Sequence, residues 1–188
     1  MKLILGTIIA VALVAVLGGI AFIYSGRYDV AATRPHWPVV YTMLDTARIR
    51  SIKVHAAGIT PPPDLESPAR IVLGAGHFAS HCALCHAAPG VAADDLAHGM
   101  YPRPPALTDA RQRFTARELF WIVQHGIKMS GMPSWADHTD AELWGTVAFM
   151  RALPGMTPAS YKALVAQADA AGGRHMPGMA MPGISNKE

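Results

Sequence analysis

The chain has 188 residues, 51% of them hydrophobic, a formal net charge of +3 and two cysteines. That length holds one domain of ordinary size plus an appendage. The positive charges form no run and no basic block alternates with aromatics, which excludes nucleic acid as a partner; "LGAGHF" lacks the third glycine and the preceding strand of a dinucleotide loop.

Leu3 to Tyr24 runs 22 residues without a charge, enough to cross a hydrocarbon core as a helix at about 1.5 Å per residue. A cleaved signal peptide is the competing reading. Its apolar region would be shorter, and "FIYSGRYDV" offers a poor small-x-small site, so residues 1–24 are read as an uncleaved transmembrane anchor. Lys2 before the span and Arg27 and Arg34 after it nearly balance, so charge alone gives no orientation.

Residues 25–66 form a connecting region. "RPHWP" is a turn, and Thr42 to Ala57 is an expected helix carrying Arg48, Arg50, Lys53 and His55. "GITPPPDLESP" stops it, because consecutive prolines cannot continue a helix. The basic side chains suit a spacer on an anionic membrane surface; a docking helix for a membrane partner is the alternative.

Residues 67–156 read as a compact all-α domain with long loops. Ser67 and Pro68 start a helix with Ile71, Ala75 and Phe78 at helical spacing. "YPRPPAL" (101–107) is a proline-fixed extended loop. Thr115 with Glu118, and Thr139 with Glu142, are capping boxes. They open helices with apolar stripes at Leu119, Ile122 and Val123 and at Leu143, Val147 and Met150. Residues 157–188 comprise an extra helix from Pro158 to about Ala171, then a glycine- and proline-rich tail.

Both cysteines lie in "FASHCALCHAAPG" (78–90). The C-x-x-C spacing puts two thiols on one face of a helical turn with His86 next. A structural zinc site needs two more ligands; His77 and His81 are available, but not at zinc-finger spacing. A thioredoxin-like redox pair belongs with a βαβ pattern, which is missing here. Covalent haem needs two thiols for two vinyl groups and an imidazole for the iron, and Cys82, Cys85 and His86 supply that set in order. In bacteria such attachment takes place outside the cytoplasmic membrane, which puts residues 25–188 on the periplasmic side of the inner membrane in a single-pass topology.

The second axial ligand must be found among ten methionines. Met176, Met179 and Met181 lie in the tail, Met150 belongs to a core stripe, and Met100 precedes the proline loop. Met129 and Met132 remain, in "HGIKMSGMPSW". Met132 stands between Gly131, which lets backbone approach a macrocycle, and Pro133, which fixes the exit, so Met132 is preferred to Met129.

With these motifs the chain resembles the class I c-type cytochromes, particularly the single-haem, membrane-anchored type similar to haem subunits of bacterial oxidases and dehydrogenases. The resemblance covers residues 67–153 and rests on "CALCH" and "GMPSW". It implies one covalent haem c in a cytochrome c core with haem-wrapping loops. It also implies a helix crossing in which Gly74 and Phe78 meet Phe149. A carbonyl of the proline loop is implied as acceptor for the proximal histidine, Pro104 first and Pro105 second.

Histidine and methionine together leave the iron no open position, so the expected function is one-electron transfer between periplasmic or membrane redox partners. The alternative is an electron-transfer subunit of a larger membrane oxidase or dehydrogenase; a haem-based ligand sensor comes third. Catalysis by the chain itself is not expected, and His125 is read as a surface histidine. Arg103, Arg111, Arg113 and Lys128 flank the haem loops, to pair with propionates or guide an acidic partner. Trp135 either donates to a propionate or packs in the core. For His175, Met176, Met179 and Met181, a flexible tail without ligand is preferred to a Cu(I) site.

Overall fold

The computed structural model describes residues 1–108 and 113–172. The chain divides into two compact units, one ending at Met43 and one beginning at Leu44.

In the first unit, α1 (Lys2–Tyr24) buries none of its residues, as an apolar helix made for a lipid surround would. After it, Tyr28 Oη lies 2.6 Å from His36 Nδ1, and Trp37 sits edge-on to the Tyr28 ring at 5.2 Å. The helix α2 (Pro38–His55) begins four residues before the expected Thr42.

The later turns of α2 belong to the second unit, where Ile52 and Ala56 are fully buried. The Arg117 guanidinium reaches the Ala57 carbonyl at 3.5 Å. The connecting region read as residues 25–66 spans this division, since the residues from Leu44 on belong to the second unit.

Next come α3 (Pro68–His81), α4 (Ala83–His86) and α5 (Asp95–His98). Ser67 and Pro68 start α3 as the sequence indicates, although the serine side chain makes no capping bond. The short α5 was not expected; Asp94 caps it by accepting from the Leu96 N–H at 2.9 Å. Both capping boxes form. Thr115 N–H donates to Glu118 at 2.7 Å ahead of α6 (Ala116–His125), and Thr139 N–H to Glu142 at 2.9 Å ahead of α7 (Asp140–Ala152). Thr157 caps α8 (Pro158–Ala170), accepting from Ser160 N–H at 3.1 Å. Among the described residues there is no strand, only an isolated bridge between Ala88 and Val91.

The core sits where α3 crosses α7. Phe78, Leu143, Val147 and Phe149 have no exposed surface, and the Phe78 and Phe149 rings lie 5.1 Å apart. The crossing is as close as backbone allows: a Cβ on Gly74 would stand 1.8 Å from the Gly145 carbonyl oxygen. The expected meeting of Gly74, Phe78 and Phe149 is present, with Gly145 as a participant the sequence reading did not name. Phe120 stacks on Trp144 at 4.2 Å and ties α6 to α7. The helix α8, read from sequence as an appendage, packs against α3 and brings Tyr161 to within 6.0 Å of Phe149.

Candidate haem site

The two cysteines follow α3, Cys82 at its C-terminal cap and Cys85 within α4. Cys82 joins α3 to α4, its N–H bonded to the Phe78 carbonyl at 2.9 Å, and the His86 N–H returns to the Cys82 carbonyl at 2.9 Å. One nearly continuous helical run thus holds Cys82, Cys85 and His86 on successive turn positions. Both thiols are unpaired. Burial, with Cys85 beside it, pushes the Cys82 thiol up to about 12.

Two contacts clamp His86 to the proline loop. Its Nδ1–H donates to the Pro105 carbonyl at 2.8 Å, and its own carbonyl accepts from Leu107 N–H at 3.3 Å. Burial lowers the His86 pKa, partly opposed by the Pro105 bond, so the ring is neutral and Nε2 carries the lone pair. The acceptor is Pro105 and not the first-ranked Pro104. Both prolines present a carbonyl in the same extended loop, and the choice between adjacent carbonyls depends on where the loop passes the ring, which no local pattern encodes.

The methionine loop leaves α6 through Gly126, which sits at φ +65°. A Cβ there would come within 2.6 Å of the Pro133 backbone, so only glycine lets the loop fold back so tightly. Ile127 N–H then donates to the Met132 carbonyl at 3.2 Å, and Met132 N–H to Ser130 Oγ at 3.2 Å. Met132 is half-buried and packed on the core, whereas Met129 is 78% exposed in the left-handed region at φ +61°. Met100, set aside in the sequence reading, is brought to this loop: a Cβ on Gly131 would lie 2.4 Å from its sulfur. The only sequence hint was the glycine itself, which marks a close approach without naming the partner.

Arg103 is exposed on the Pro105 loop, and Arg113, Lys128 and His125 are exposed as well; Arg111 lies outside the described residues. His175, Met176, Met179 and Met181 also lie outside them. Trp135 is half-buried, and its indole is surrounded by imidazoles, 4.9 Å from His81, 5.1 Å from His138 and 5.9 Å from His77.

Residues 69–150 match the family model described as Cytochrome C oxidase, cbb3-type, subunit III. They form a c-type cytochrome domain. The match takes in α3 through nearly all of α7, and so includes Cys82, Cys85, His86, the Pro105 carbonyl and the methionine loop. No curated protein and no solved structure matches the chain. A c-type cytochrome domain implies haem c, haem-based electron transfer and redox-protein partners. The donor set fits that group: two free thiols and a neutral imidazole whose other nitrogen is already bonded. The single N-terminal apolar helix is compatible with a membrane anchor on the cytochrome domain.

Proposed function

We propose that the protein passes single electrons through one haem c joined to Cys82 and Cys85, with His86 and Met132 on the iron. Residues 1–24 hold it to a bacterial inner membrane with the haem domain on the periplasmic side. The observation that carries the reading is the 2.8 Å bond from His86 Nδ1 to the Pro105 carbonyl. It commits one ring nitrogen and leaves Nε2 as a ligand beside two unpaired thiols. Haem ligated this way exchanges one electron and has no position for substrate.

The rest falls to the chain's own residues. The Pro105 carbonyl orients the imidazole and raises its basicity. The folded-back loop 126–133 presents Met132 from a backbone held at both ends. Pro104 keeps the proline loop extended, and Arg103 beside it offers a positive charge to a propionate or an acidic partner. Trp135 is assigned to the histidine cluster around it.

Because both thioethers are covalent in this reading, protein denatured in detergent should keep its haem and stain for it in a gel. Extraction of the haem into acid acetone would refute the attachment. Removing residues 1–24 and supplying a cleavable export signal should yield soluble, haem-loaded protein, since α1 contributes nothing to the core. A truncated chain that matures but stays firmly in the membrane would show a second anchor.

The family description names an oxidase subunit, and this supports a second reading, in which the chain delivers electrons to catalysis residing in another polypeptide. Purification from membranes in mild detergent separates the two: a carrier runs alone, and a subunit brings its complex.

A further inference from the structure

Beside the α3–α7 crossing lies a cluster of three imidazoles outside the donor set assigned to the haem. His77, only 4% exposed, stacks on His81 at 4.7 Å and stands edge-on to His138 at 4.9 Å; His81 and His138 are 5.9 Å apart. Three imidazoles sharing one tetrahedral ion, each bound at ≈ 2.0–2.1 Å, have ring centres about 5 Å apart.

The hydrogen bonds decide which nitrogens hold lone pairs. Thr146 Oγ donates its single proton to the Glu142 carbonyl at 2.9 Å, so it can only accept from His77 Nδ1, also at 2.9 Å. His77 Nδ1 is therefore protonated, and Nε2 is a bare lone pair, buried and without a partner. In the same way His81 Nδ1–H donates to the His77 carbonyl at 3.1 Å, leaving its Nε2 bare. Both ring nitrogens of His138 are buried and unpartnered. An imidazole with one nitrogen donating to oxygen and the other aprotic has the arrangement of a metal ligand with its supporting shell in place.

We propose that His77, His81 and His138, none of them among the residues assigned to the haem, form a binding site for a borderline divalent transition-metal ion such as Zn²⁺. Burial, followed by the proximity of His81 and His138, holds the His77 pKa down at about 4, and burial lowers that of His138, so both rings are uncharged at neutral pH. The Glu142 carboxylate, felt by both rings, offsets part of a dication's charge. Trp135 closes one side with an apolar wall. Among the described residues no three such side chains already stand at ligand spacing. The His77 and His81 rings are 25° from parallel, so closure requires half-exposed His81 to turn about its side-chain bonds, giving up its bond to the His77 carbonyl, while buried His77 keeps its bond to Thr146.

The test uses full-length, haem-loaded protein in detergent, stripped with a chelator and titrated with Zn²⁺ alone. The expected result is one Zn²⁺ retained per chain after desalting, a raised Tm, and X-ray absorption at the zinc edge counting three imidazoles. His81→Gln and His138→Gln should each weaken binding roughly tenfold or more, with the haem spectrum unchanged. His175→Gln, in the tail, should leave binding as it was. The proposal is overturned if no zinc is retained, if the His81 and His138 variants bind normally, or if His175→Gln removes the ion.

Discussion

Replacing Met132 with alanine is expected to abolish the weak charge-transfer band of ferric methionine-ligated haem and to open the ferrous iron to carbon monoxide. The midpoint potential should fall by on the order of 0.1 V, part of the ~0.8 V range that axial ligands span. In the proposed ligation the thioether would do two things at once: close the sixth position and, as a soft ligand, favour the ferrous state. Its backbone is held by Ile127, Ser130 and the tight return at Gly126, so no neighbour can take its place without undoing the loop. Met129→Ala should leave spectrum and potential nearly unchanged, because that side chain is in solvent. Met100→Ala is the more demanding control, since its sulfur lies against Gly131. If Met100→Ala removes the band and Met132→Ala does not, the ligand assignment is wrong. If none of the three matters, the iron is not methionine-ligated and ligand sensing displaces electron transfer.

Gly74→Ala should destabilise the cytochrome domain by about 3 kcal/mol or more, the upper end of overpacking, and lower its Tm by on the order of 10 °C. The added methyl would sit 1.8 Å from the Gly145 carbonyl oxygen and 2.3 Å from its carbon. Neither atom is at the end of a flexible side chain, so α3 and α7 must separate along their whole crossing. Gly145→Ala is the instructive contrast. Its methyl meets Gly74 N and the Leu73 side chain at 3.3 Å, contacts that yield by small shifts. The roughly 1 kcal/mol gain in helix propensity offsets most of that, so little net change is expected. Thermal melts followed by circular dichroism measure both. Equal losses in the two variants would show that the crossing is looser than the distances indicate. Haem loading should follow the same order, because α3 carries Cys82 at its C-terminal end.

What sequence and structure each contribute can be seen at particular residues. Thr115 with Glu118 and Thr139 with Glu142 mark helix starts because a capping box closes within four residues. The charge-free run from Leu3 to Tyr24 marks a helix because length and apolarity suffice. Cys82, Cys85 and His86 carry the haem reading because all three side chains are set by a single helical turn. Such signals are local, and local geometry follows from local residues.

Contacts between distant segments had no such signal. Pro105 is chosen over Pro104 by the path of a loop 19 residues away from His86. Gly145 became the partner of Gly74, and Met100 came to lie against Gly131, through the way helices and loops cross. His77, His81, Trp135 and His138 come together because α3 and the start of α7 lie side by side, although nearly 60 residues separate them along the chain. The helix α8 reads as an appendage because its moderate apolar face does not say what it covers; docking on α3 makes Tyr161 and Ala168 core residues. The sequence by itself therefore marked most of the helices, the long apolar run and the three residues on which the proposed haem attachment rests. The tertiary structure decided which carbonyl, which glycine and which imidazoles meet, because those contacts depend on packing between segments remote in the chain.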